Sequence, residues 1–147
     1  MEKCIFCDPS ETKDQVIVDT GNFIVIQSRR PIALGHIMII PKRHINSLAL
    51  TSAELEELFK TAQKFFDVFK KSFNASGINL FTNIGQSAGQ QIPHLHFHLI
   101  SRTSDEKISP FTLINDKNLY KALQQLTKEE ILEKVSAIKK DLDLIEV

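Results

Sequence analysis

Apolar positions in this chain recur with two different periods, and the change between them divides the sequence into strands and helices. Three short β-branched runs come first: "VIVDT" at 16–20, "FIVIQS" at 23–28 and "HIMIIP" at 36–41. Gly21 separates the first two and "RRPIALG" the last two, as turns between strands would. The period then shifts to helical. Leu55, Leu58, Phe59, Ala62, Phe65, Phe66, Phe69 and Phe73 follow a Thr51–Glu54 capping pair, predicting a helix of about five turns that stops near Gly77. "INLFTNIG" at 78–85 reads as a fourth strand, and a fifth follows the loop "QSAG". From about Asp116 the pattern is helical again, with a second capping pair at Thr127 and Glu130 and an apolar series Ile131, Val135, Ile138, Leu142. Strands that are not separated one by one by helices predict an α+β fold with an antiparallel sheet of about five strands, a long helix after strand three and C-terminal helices. The 147 residues suit one domain spanning 1–147, with 103–147 as a C-terminal helical extension.

The fifth strand carries the chemistry. "QQIPHLHFHLISR", residues 90–102, sets His94, His96 and His98 at alternate positions, although the chain has only five histidines. On a strand these imidazoles share one face, while Leu95, Phe97 and Leu99 share the other and pack on a core. Imidazoles cost free energy to desolvate, and a core has no need of three of them. The row therefore reads as a site. Upstream, "NIGQSAGQQIPH" is a loop whose glycines let backbone approach a ligand, with Asn83 and Gln90 as amide donors suited to phosphate oxygens.

Charge and cysteine usage narrow the setting. Eighteen basic and eighteen acidic residues balance, so no broad basic field draws in nucleic acid. No apolar run reaches the length of a membrane span, and no signal-peptide pattern opens the chain, so a cytoplasmic location is expected. Cys4 and Cys7 form a Cys-x-x-Cys pair, which in a reducing compartment is read as a metal or redox pair rather than a disulfide.

Residues 83–101, with Ala88, Gln90, Ile92, His94, His96, His98, Leu99 and Ile100 in place, resemble the signature of the histidine triad (HIT) superfamily of nucleotide hydrolases and transferases. "RRPIALGHIMIIPKRHI" at 29–45 is similar to the family strand that ends in Pro-Lys-x-His, here Pro41 to His44. With "CIFC", the resemblance covers roughly residues 4 to 102 and is to a zinc-binding Cys-x-x-Cys hydrolase of bacterial type, related to the Hint and Fhit branches. It implies a hydrolase that attacks a nucleotide α-phosphate with His96 and releases a nucleoside monophosphate through a nucleotidyl-histidine. The substrate class would be a purine nucleoside phosphoramidate or a dinucleoside polyphosphate. His94 would orient His96 through its backbone carbonyl, and His98, Asn83 and Gln90 would bind phosphate. Phe6, Phe23, Ile26 and Ser28 are the candidates for the nucleoside cleft, and a homodimer is implied. The same resemblance implies a structural zinc held by Cys4, Cys7, His44 and His94. Two departures stand out: Gln91 replaces a serine of the phosphoramidase branch, and Ser28 replaces the Asp or Asn commonly set against the ribose. His36, in a Gly-His pair, reads as structural. Two other functions fit the residues: a catalytic zinc on the three triad histidines, or a nucleotide-binding dimer that docks partners through its C-terminal helices.

Overall fold

A computed structural model describes residues 3–107, 109, 112 and 116–146. Five strands form one antiparallel sheet: β1 (Val16–Asp19), β2 (Phe23–Gln27), β3 (His36–Pro41), β4 (Gly77–Thr82) and β5 (Phe97–Arg102). Their order is β1-β2-β3-β5-β4, so the histidine-bearing strand lies between β3 and β4. The helices are α1 (Pro9–Thr12), α2 (Ser52–Phe73), α3 (Lys117–Ala122) and α4 (Lys128–Glu146).

Side-chain alternation decides what each face of the sheet does. Phe23 and Val25 of β2, Ile37 and Ile39 of β3, and Leu95, Phe97 and Leu99 point into a core shared with Leu58, Ala62, Phe65 and Phe69 of α2. The opposite face carries His36, Met38, Phe81, His96 and His98, which line a cleft. Register brings these together: Met38 pairs with His98 across β3 and β5, and Phe81 pairs with His98 across β4 and β5.

α2 starts as the sequence predicts. The Thr51 hydroxyl accepts from the Glu54 N–H while the Glu54 carboxylate accepts from the Thr51 N–H. Its end differs: Asn74, in the left-handed conformation at φ 53°, closes the helix ahead of Gly77. Asparagine is the non-glycine residue that tolerates this conformation best, so glycine is not required there. The phenylalanine stripe divides, with Phe65 and Phe69 buried in the core and Phe59 61% exposed.

α4 is more than an appendage. Ile131, Val135, Ile138 and Leu142 are buried in the same core as the sheet, and Ser72 of α2 donates a hydrogen bond to Asp141. The amphipathic pattern of this helix thus faces the domain itself. Its start repeats the capping geometry of α2, between Thr127 and Glu130.

Candidate active site and metal centre

The fifth strand begins three residues later than the histidine pattern suggests. The ladder between β3 and β5 starts at the Ile39–Phe97 pair, and ahead of it the Leu95 N–H donates to the Ile45 carbonyl at 2.7 Å. His94 and His96 therefore sit just before β5, outside the regular ladder, and His98 lies within β5. This frees their neighbouring carbonyls for side chains.

His94 is fully buried, and its Nε2 lies 2.8 Å from the Pro41 carbonyl. A carbonyl only accepts, so Nε2 carries the proton and Nδ1 is left with its lone pair. That nitrogen lies 3.4 Å from the Cys4 sulfur and 3.6 Å from the Cys7 sulfur, and Cys7 is 3.3 Å from His44 Nδ1. One ligand atom from each of Cys4, Cys7, His44 and His94 lies within 4.8 Å of all the others. A tetrahedral zinc with sulfur at about 2.3 Å and nitrogen at about 2.0 Å separates its ligands by roughly 3.5 Å, so this donor set fits the ion. The second shell fits too, because a metal-bound imidazole characteristically gives its other N–H to a carbonyl. Burial and a hydrogen bond with Cys4 raise the Cys7 thiol pKa, a shift that a bound dication would reverse.

His96 has the opposite tautomer. Its Nδ1 donates to the His94 carbonyl at 2.8 Å, which leaves the lone pair on Nε2. The Thr82 hydroxyl donates to the His96 carbonyl at 2.6 Å and fixes the backbone. Burial lowers the His96 pKa, partly opposed by the hydrogen bond to the His94 carbonyl, so the ring is neutral at pH 7.

The third imidazole is set by a relay. His36, on β3, accepts from the Ile32 N–H at its Nδ1, which places its own proton on Nε2, 3.0 Å from His98 Nδ1. His98 must then accept there and carry its proton on Nε2, as a donor. Phe81 stacks on the His98 ring at a centroid distance of 4.8 Å. Burial lowers the His98 pKa well below the usual histidine range, with His36 and His96 adding to the shift, and burial alone takes His36 down to about 3. Sequence reading left His36 as a structural residue and missed this contact. The signal was the alternation of "HIMIIP", which puts His36 and Met38 on one face, but it becomes informative only once β3 is paired with the histidine strand.

A cleft of about 1080 Å³ opens over these rings. Asn83, one residue past β4, lines it, and so do Phe6 and Ser28. Phe6 packs edge-on to His96, with ring centroids 5.3 Å apart. Gln90 lines it as well, but its amide has other partners. The carbonyl oxygen accepts from Gly85 N–H, and the amide nitrogen donates to Asn46 and to the Ile92 carbonyl. Gln90 thus braces the glycine loop instead of offering free donors. Phe23 and Ile26 stay out of the cleft: neither has any exposed surface, and Phe23 belongs to the core beneath the sheet. The alternation of β2 explains Phe23, because it puts that ring on the α2 side. Gln91 lines the loop side of the cleft and is exposed.

A HIT domain family model matches residues 9–105. Among curated relatives, an uncharacterized HIT-like protein of Saccharolobus solfataricus is 32% identical over 106 residues, covering 70% of this chain and 76% of the relative. The asymmetrical bis(5'-nucleosyl)-tetraphosphatase of Schizosaccharomyces pombe is 35% identical, covering 69% of this chain and 57% of the enzyme. A bis(5'-adenosyl)-triphosphatase of Saccharomyces cerevisiae is 33% identical, covering 80% of this chain and 57% of the enzyme. The chain thus spans just over half the length of those two enzymes. Among solved structures, a Zn-bound histidine triad family protein from Mycobacterium smegmatis shares the fold at a TM-score of 0.78 and 22% identity, covering 98% of this chain and 96% of that one. Matched across most of its length by the family model, and with all three histidines in place, the chain belongs to the histidine triad family.

Proposed function

We propose that the chain is a nucleotide hydrolase that attacks an α-phosphate with His96 Nε2, forms a nucleotidyl-histidine and releases a nucleoside monophosphate. The observation that carries this reading is the 2.8 Å hydrogen bond from His96 Nδ1 to the His94 carbonyl, which leaves a neutral, nucleophilic Nε2 beside the cleft. A nucleophile held in this form splits one difficult substitution into two easier ones. The P–N or P–O bond to the leaving group breaks as the Nε2–P bond forms; water then attacks the same phosphorus, the Nε2–P bond breaks, and the nucleoside monophosphate leaves as the water gives up its proton. His98, with its proton on Nε2, supplies a donor to the phosphate oxygens or the leaving group, and Asn83 adds a neutral one. Gln90 acts by holding the loop.

The substrate class we infer is a purine nucleoside phosphoramidate or a dinucleoside polyphosphate. The two named hydrolases among the relatives act on the second kind and support it. Zinc at Cys4, Cys7, His44 and His94 would tie the N-terminal segment to the back of the triad, and through His94 it would steady the carbonyl that orients His96. Its role there is structural, since four protein ligands close the shell. No helix among the described residues is long and apolar enough to cross a membrane, and the two free thiols suit a reducing compartment such as the cytoplasm. We also infer a homodimer. Leu55, 42% exposed on α2, and the exposed Phe59 on the same helix support it, and a monomer at micromolar concentration in sedimentation would contradict it.

The catalytic-zinc alternative requires the three triad rings to share one ion. Instead His94 faces the cysteines, His96 faces a carbonyl and His98 faces His36, which favours the nucleophile reading. The test is release of AMP from adenosine 5′-phosphoramidate by wild type and by His96→Ala. Turnover by wild type alone is expected. Equal turnover by both would remove His96 from the chemistry.

A further inference from the structure

The cleft has two unlike ends. Around the triad its polar lining consists of histidines and neutral amides and hydroxyls, without a lysine or arginine. On the opposite side, past β3 and β2, it is lined by Arg29, Arg30 and Lys121, with Glu11 as the lone carboxylate.

One of these cations is held in an unusual way for this molecule. The chain has four arginines; Arg43 pairs with Glu54, and Arg102 pairs with Glu106. Arg29 is fixed instead by neutral acceptors: its Nε donates to the Gln15 side-chain oxygen at 2.8 Å, and its Nη2 donates to the Glu11 carbonyl. Gln15 is itself buried, so the guanidinium is anchored without being neutralised. Among the described residues, Arg30 and Lys121 have no carboxylate partner. Lys121 arrives from a segment far along the chain. The Leu126 N–H donates to the Arg29 carbonyl at 2.8 Å and docks the stretch that follows α3 against the turn after β2. Three basic side chains against one carboxylate leave this end of the cleft net positive, which suits an anion.

The spacing says what kind of anion. The Ser28 N–H donates to the His36 carbonyl, and Met38, two residues along β3, pairs with His98. Ile26, Met38 and His98 lie level across the three strands, so the arginine turn is set off from the triad by two strands, about 10 Å sideways, and by three or four residues along them. Arg30 and Lys121 line the same cleft as His96 and His98, so a ligand with two separated anionic groups can lie between the two ends.

We propose that Arg29, Arg30 and Lys121 form a second anion subsite, which takes a phosphate carried by the same molecule as the phosphate attacked at His96. This rests on the nucleotide-hydrolase reading above. The second phosphate is carried on the ribose or further along a phosphate chain, and the two sources separate in the test.

Wild type and an Arg30→Gln/Lys121→Gln double variant are titrated calorimetrically with AMP, adenosine 3′,5′-bisphosphate and ADP. Arg29 is left intact because it also braces Gln15 and Glu11. Either adenosine 3′,5′-bisphosphate or ADP is expected to bind wild type about tenfold more tightly than AMP and to lose that advantage in the variant, while AMP affinity moves by less than about threefold. A gain confined to the 3′,5′-bisphosphate assigns the subsite to a ribose phosphate. A gain confined to ADP assigns it to the phosphate chain. If adenosine 3′,5′-bisphosphate and ADP both bind wild type like AMP, or if the advantage survives in the variant, the subsite is overturned while nucleotide binding stands. If AMP itself neither binds nor is released from its phosphoramidate, the nucleotide reading fails and takes the subsite with it.

Discussion

His94 and His96 are two residues apart just ahead of β5, and both are buried, yet they present opposite nitrogens. His94 gives its Nε2 proton to the Pro41 carbonyl and turns Nδ1 to the cysteines. His96 gives its Nδ1 proton to the His94 carbonyl and keeps Nε2 free. The side chains are identical, so the difference lies in which backbone acceptor each one meets. In the proposed function, a carbonyl at one end of the ring suits His94 to a metal, and a carbonyl at the other end suits His96 to nucleophilic attack. The two proposed roles are coupled, because the carbonyl that orients His96 belongs to His94.

The comparison breaks most sharply under truncation of each ring's function. His96→Ala is expected to lower kcat on the order of 10³-fold or more while zinc content stays unchanged. A variant retaining roughly a tenth of wild-type kcat would deny His96 the role of nucleophile. Cys4→Ser should do the reverse at the metal end. Wild type, grown with zinc, is expected to bind one ion per chain and to melt about 10 °C higher with it than after chelation, whereas Cys4→Ser gains nothing from zinc. Metal content far below one per chain in supplemented wild type would show that His94 has no such role.

A smaller effect concerns the rings on the cleft side. His36, with its pKa pushed down to about 3 by burial, stays neutral in the fold, whereas an unfolded histidine titrates near 6.5. The unfolded state therefore binds more protons in that interval, and stability falls as pH drops below about 6.5. Glu54 and Asp8, held down to about 2 chiefly by hydrogen bonds from Arg43 and Lys3, add their own losses only as pH falls below the ordinary carboxylate range. Urea midpoints between pH 7 and 5 isolate the histidines. His36→Asn, which can still accept from Ile32 N–H, should flatten that slope by up to about 1.4 kcal/mol per pH unit. An unchanged slope would mean that His36 is not buried neutral. The smallest effect is Thr82→Val, which removes the donor to the His96 carbonyl and should destabilise the fold by about 1 kcal/mol while lowering kcat. Loss of stability without loss of rate would make Thr82 a bystander to the chemistry.

Local signals account for the parts that sequence alone reveals. Both capping boxes, the strand alternation and the histidine row depend on residues a few positions apart, and each is present in the fold. The division of Leu95, Phe97 and Leu99 from the histidines follows from the same two-residue period. What could not be read depends on partners distant in the chain. Gln90 is expected at phosphate, but Asn46, from the loop after β3, takes its amide nitrogen. His36 meets His98 only through the β3–β5 register, and Phe23 falls on the core face of β2. The C-terminal helix carries an apolar stripe that is plain in sequence, but only the fold shows that the stripe completes the core.

The most direct test is to quench a reacting mixture of wild type and adenosine 5′-phosphoramidate, digest it under conditions that preserve phosphoramidates, and map the modified residue by mass spectrometry. The account predicts one adenylyl group, on His96. An adduct on His94 or His98, or rapid turnover that never passes through a histidine adduct, would contradict it.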